Sequence, residues 1–163
     1  MKLVVTGHDP NGTSVFSHAG VPPRSSSPGS FDLWSTQGPI SMPDATDPNA
    51  PAQIGYFPVE GETAFRIVRV PGLADSPTGD FSGQMPEDLA KHFEADDPGM
   101  HTTDTIDYVV ILGGSAELEL DDGCKELVQT GDCVVQRGTR HAWRVTSQEP
   151  LILAAILIGA KRL

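Results

Sequence analysis

The stretch "TIDYVVILGGSAELELDDGCKELVQTGDCVVQRGTRHAWRVTS", residues 105–147, decides the fold. Gly-Gly at 113–114, Asp-Gly at 122–123 and Thr-Gly-Asp at 130–132 cut it into apolar runs spaced about ten residues apart, the spacing of strands in a sandwich or small barrel. No helix of ordinary length fits between such turns. The run "LILAAILIGA" at 151–160 is about half the length needed to cross a bilayer and reads as one more buried strand. The expected class is therefore all-β.

Composition agrees. The chain has 163 residues, enough for one core without disulfide or metal staples, and it carries 17 Gly and 14 Pro, which favour turns over helices. Eleven Lys and Arg against 22 Asp and Glu give a net charge of −11, which repels phosphate backbones and anionic lipid. Neither nucleic acid nor membrane is an expected partner. The N-terminal run "MKLVVTGHDPNG" is too soon interrupted by polar residues to read as a secretory leader, so a cytoplasmic setting is the default expectation. In that compartment Cys124 and Cys133 are expected as small buried thiols.

Upstream of the regular half, "LVVTGH" and "TSVFSH" flank "DPNG", whose residues supply the dihedrals of a tight turn, so an N-terminal hairpin is expected. "VPPRSSSPGS" at 21–30 cannot continue a ladder, "FDLWST" at 31–36 reads as a short strand, and residues 39–62 are proline-punctuated covering. "AFRIVRV" at 64–70 alternates like a strand with one polar-decorated face. "MPEDLAKHF" at 85–93 places proline and acids ahead of a short apolar stretch, as at the start of one or two helical turns. The whole is expected as one domain over 1–163, with hairpin and covering in 1–62 and barrel core in 64–160.

The chemistry-bearing segment is "GMHTTDTIDY" at 99–108. On a strand His101, Thr103, Thr105 and Asp107 share one face, giving it an imidazole and a carboxylate. His141, at the start of "HAWRV" after the turn "RGTR", can face them across a small barrel. Neutral imidazole and carboxylate both suit divalent first-row metals, Fe(II) first, with Mn, Ni or Zn acceptable, and such a trio leaves coordination positions open. Trp143 shares parity with His141 and is a candidate pocket wall, while Arg140, near His141, is a candidate clamp for a substrate carboxylate. Dimer or surface ion pairs explain the cluster of Arg137, Arg140 and Arg144 equally well, and a core position explains Trp143.

These residues resemble the two motifs of the cupin superfamily, the first built on H-x-H and a glutamate, the second on P-x-G and a third histidine. His101 stands in the first-histidine place, Thr103 in the second, Asp107 in the glutamate place, and Gly113 closes the first motif. In the second, Gly131, Gly138 and His141 match, Gln136 stands where proline is usual, Val145 stands where asparagine is usual, and the spacing from Gly131 to Gln136 is one residue short. The segments 4–16, 99–113 and 131–143 are also similar to small single-domain bacterial and fungal cupins.

The resemblance implies a double-stranded β-helix, or jelly-roll, barrel with an N-terminal hairpin and one short helix. It implies a divalent ion held by His101, Asp107 and His141, with Thr103 replacing a fourth ligand. Because edge strands are commonly covered, a homodimer is the default expectation, with the N-terminal hairpin free to add strands to a partner. The expected activity is metal-dependent turnover of a small organic, aromatic or polyketide-like acid by decarboxylation, dehydration or isomerisation. A dioxygenase is the second reading. A metal-free cupin that binds a small ligand without catalysis is the third, with His101, Thr103 and Asp107 satisfying one another by hydrogen bonds.

Overall fold

The structure is a computed structural model that describes residues 1–42, 44, 46–50, 54–75 and 87–163. Its strands are β1 (Leu3–His8), β2 (Ser14–Gly20), β3 (Ser25–Ser27), β4 (Ser30–Gln37), β5 (Glu62–Val70), β6 (Thr105–Gly113), β7 (Ser115–Glu119), β8 (Lys125–Gln129), β9 (Cys133–Arg137), β10 (Ala142–Val145) and β11 (Leu151–Gly159). One short helix, α1 (Glu87–Ala90), lies where the acidic stretch suggested, while Met85 and Pro86 of that motif fall outside the described residues.

A six-stranded sheet, in the order β3-β4-β5-β11-β6-β9, packs on a three-stranded sheet, β10-β7-β8. All the pairings are antiparallel. The architecture is the all-β jelly roll expected. The covering segment is less passive than its prolines suggest, because β3 and β4 fall within residues 1–62 and yet extend the main sheet along β5. The barrel therefore begins before residue 64.

Alternation on β6 explains how one strand serves core and site together. Thr105, Asp107, Val109 and Ile111 are buried and Ile106, Tyr108, Val110 and Leu112 exposed, the two-residue period of a strand with one covered face. β11 lies in the centre of the sheet, paired on both sides, which is why its sequence is almost wholly apolar. Its Leu151, Leu153, Ala155 and Leu157 join Ala64, Val109 and Ile111 from the same sheet and Ala116 and Val128 from the smaller one in a continuous core.

The "DPNG" hairpin forms as read: Asp9 Oδ1 accepts from the backbone of Asn11 and Thr13 at 2.8 and 2.9 Å, and Gly12 takes φ +84°. β1 and β2 pair only with each other, leaving Val4, Val15 and Phe16 exposed. One expectation is corrected here: Cys124 and Cys133 are both exposed free thiols, since each begins the stretch after a tight turn at the sheet margin.

Candidate functional site

Between the two sheets lies a cavity of about 1140 Å³, walled mainly by apolar side chains. His101 and His141 stand on its wall as an isolated antiparallel bridge, each backbone N–H donating to the other's carbonyl at 3.0 and 2.9 Å. Opposed residues of such a pair project to one face, and the two imidazole centres are 4.1 Å apart. Two glycines shape this approach. Gly99 turns the chain into His101 at φ +87°, and Gly138 sits at φ +63° where an added Cβ would lie 3.2 Å from the carbonyl of Thr103.

Each imidazole is oriented from behind. His101 Nδ1 bonds the carbonyl of Gly99 at 3.0 Å, and His141 Nδ1 bonds that of Thr139 at 2.9 Å. A carbonyl only accepts, so each Nδ1 carries the proton and each neutral ring keeps its lone pair on Nε2. Burial, aided by the charge His141 would carry, pushes His101 down to about 4, and burial lowers His141 as well. At neutral pH the pair is thus two uncharged imidazoles with Nε2 free, the form that ligates metal. Phe93 lies 4.7 Å from His101 centre to centre, and Trp143 presents an edge to His141 at 6.5 Å, so the surroundings are dry and aromatic.

Asp107 faces the same cavity from β6 and is 6% exposed. Burial raises its carboxyl to about 6, opposed by a hydrogen bond from Thr105. Among the described residues its Oδ1 has no hydrogen-bond partner, and neither has Nε2 of Gln136, its neighbour across the β6–β9 ladder. Orphaned buried polar atoms of this kind cost about 1–3 kcal/mol each, so a site that keeps them is suited to a guest that fills them. The donors match a divalent ion in kind. Among the described residues, however, no three His, Cys, Asp or Glu side chains are grouped closely enough to hold one ion together; the structure shows the two histidines as a pair and Asp107 further along the wall.

Other expected site residues sort differently. Trp143 lines the cavity and also packs against the core cluster. Thr103 lines a small cleft with Gly138 and Arg162, its hydroxyl 2.8 Å from that of Thr105. The mutual network of His101, Thr103 and Asp107 therefore does not form. Arg140 is not available as a substrate clamp: Glu94 takes it at 2.8 and 2.7 Å, and Asp97 and Asp121 each at 3.1 Å. Arg144 is likewise held by Asp97 and Glu119. Together they lace the segment before Gly99 to the smaller sheet.

Sequence reading missed Gln136, whose position opposite Asp107 depends on register, and Arg66, which the general preference of arginine for water places outward. Arg66 is 3% exposed and lines the cavity, its guanidinium carbon 4.4 Å from the centre of the Tyr56 ring. The signal was there in parity: Arg66 shares a face with Val68 and Val70, the apolar side of β5.

The geometry brings the two motif segments together at His101 and His141. A 44-residue stretch is also 48% identical to the cupin-domain-containing oxidoreductase srdD of Neurospora crassa, covering 27% of this chain and 22% of that protein. Over that stretch the chain is similar to a cupin-domain protein. Oryzines biosynthesis cluster protein J of Aspergillus oryzae is 46% identical over 52 residues, 32% of this chain and 29% of that protein. The chain thus spans about a quarter of the length of the curated relatives it matches. A crystal structure of a cupin protein from Bacteroides fragilis aligns with 62% of the chain and 69% of its own length at TM-score 0.40 and 16% identity. No family model matches the chain. Among the described residues no helix is long and apolar enough to cross a membrane.

Proposed function

We propose that this chain is a metal-dependent cupin enzyme acting on a small organic, aromatic or polyketide-like acid, with His101 and His141 as metal ligands and Asp107 as the carboxylate member of the set. The carrying observation is the histidine pair: two neutral imidazoles, Nδ1 tied to backbone carbonyls and Nε2 free, beside a large apolar cavity. A bound divalent ion, Fe(II) first and Mn, Ni or Zn next, would polarise a substrate oxygen or accept dioxygen. The chain's own residues orient and exclude: Phe93 and Trp143 keep water from the imidazoles, and the Gly99 and Thr139 carbonyls fix their tautomers.

Decarboxylation, dehydration or isomerisation is the first reaction class. The second is oxygenation, favoured by the name of the Neurospora crassa relative, an oxidoreductase; the Aspergillus oryzae relative is named for a biosynthesis cluster, which supports small-molecule chemistry in secondary metabolism. Metal content of protein supplied with Fe, Mn, Ni and Zn tests the reading. About one ion per chain, lost in His101→Ala and in His141→Ala, supports it, and a metal-free wild type that still binds small acids favours the non-catalytic cupin instead.

The same surface features support a homodimer. Tyr108, Leu112, Val135 and Ile156 are 47, 51, 60 and 43% exposed on the outer face of the six-stranded sheet, a broad apolar area on a chain of net charge −11. The β1–β2 hairpin, marginal as an isolated two-stranded sheet, exposes Phe16 at 74% and gains a partner if it lies on that face of a second copy.

A further inference from the structure

We propose that Arg66 is the anchor for a carboxylate of the substrate, and that the ligand is a flat aromatic or conjugated acid lying along an aromatic wall between Arg66 and the histidine pair. The proposal rests on the enzymatic reading above and names its substrate class.

Arg66 sits in the middle of β5 with its side chain turned inward, 3% exposed. Its guanidinium is clamped in one orientation. Nε donates to Asp32 Oδ1 at 2.5 Å, Nη2 donates to the carbonyl of Gly55 at 3.1 Å, and the Tyr56 ring covers one face. Nη1 has no hydrogen-bond partner among the described residues. Arginine does not shed its charge to relieve such a deficit, so two N–H groups of a permanent cation are left unspent in a buried place. A purely structural arginine linking β4 to β5 needs only the Asp32 and Gly55 bonds. The unspent Nη1 on the wall of a large cavity is what a carboxylate guest would use, by a charge-assisted hydrogen bond.

The surroundings favour a flat guest. The residue beside Arg66 on β11 is Ala155, a small side chain that leaves room beside the guanidinium, and both line the cavity. From Arg66 a run of rings leads to the metal-ligand pair. Tyr56 meets Phe57 at 5.2 Å, Phe57 meets His101 at 6.0 Å, and His101 meets His141 at 4.1 Å, all centre to centre. Aromatic faces bind aromatic or conjugated ligands by offset and edge contacts. Across β11 the register sets Arg66 level with Val109, and Asp107 lies two residues further along β6, so Arg66 and Asp107 stand roughly 12 Å apart, two strand spacings across and two residues along. An acid of one or two rings spans that interval. Its carboxylate end then fixes the orientation, and its far end lies toward Asp107 and the histidines.

The test compares benzoate, cinnamate and 2-naphthoate with their primary amides, using quenching of tryptophan fluorescence and thermal shift on the whole chain. In the wild type at least one acid should bind about tenfold or more tightly than its amide, the difference expected for one charge-assisted hydrogen bond. Arg66→Lys should lose that preference while keeping the wild-type metal content. His101→Ala should lose metal while keeping the acid-over-amide preference, which separates failure of the anchor from failure of the metal reading. A wild type that binds acid and amide equally, or binds none of the six, overturns the proposal, and that comparison stands whether or not Arg66→Lys folds. An unchanged preference in folded Arg66→Lys also overturns it.

Discussion

Asp107 and Gln136 stand directly opposite each other on β6 and β9, yet Oδ1 of the one and Nε2 of the other are both buried without a partner among the described residues. An acceptor and a donor so placed and not joined to each other mark a wall whose polar groups are held for something other than the fold. That cost should be visible in stability.

The Asp107 carboxyl rises from 3.8 to about 6 on folding. It holds its proton more tightly folded than unfolded, so its contribution is complete below 3.8, declines as pH rises, and is gone above about 6. The full difference is on the order of 3 kcal/mol. Asp107→Asn should therefore stabilise the metal-free protein at pH 8 by about 1–3 kcal/mol and have little effect near pH 4. Urea unfolding at the two pH values measures it; equal effects at both would place the strain elsewhere.

His101 has the opposite sign. Its pKa falls from 6.5 to about 4, so it disfavours the proton when folded; its contribution is complete above 6.5 and is lost as pH drops toward 4. Wild type should lose on the order of 3 kcal/mol from this group across that window. The two titrations overlap and partly cancel, so the difference curve between wild type and His101→Phe isolates the histidine. A difference curve flat from pH 7 to 4 would contradict the burial assigned to the ring.

Arg140→Ala should lower the melting temperature, because Glu94, Asp97 and Asp121 lose their shared cation. It should leave the acid-over-amide preference unchanged. Loss of that preference with the fold intact would return Arg140 to the role of clamp.

Phe16→Asp in the hairpin and Leu112→Glu on the sheet face should each shift the mass in solution from dimer to monomer, read by light scattering during gel filtration. A wild type that is monomeric at micromolar concentration removes the basis for the homodimer.

How far these features were legible in the residues depends on how local they are. The strand series from 105 to 159 and the "DPNG" turn were readable because alternation and turn chemistry act over a few residues. The placing of His101 and Asp107 on one cavity followed from parity, whereas Thr103 and Thr105, of the same parity, line a separate small cleft. The insertion of β11 between β5 and β6 was not readable, since it depends on pairings 39 to 95 residues apart in the chain. The ion-pair partners of Arg140 were unreadable for the same reason: Glu94 and Asp97 lie 46 and 43 residues before it. Arg66 was hidden by the ordinary rule that arginine faces water, which fails where Asp32 and a tyrosine ring receive the guanidinium.

The central claim is that His101 and His141 are a ligand pair, and the most direct measurement is elemental analysis of protein prepared without chelator and supplied with Fe, Mn, Ni and Zn. About one divalent ion per chain is expected, falling to background in both His101→Ala and His141→Ala with the fold retained. No bound metal in the wild type under those conditions, or full metal content in either folded variant, would contradict it.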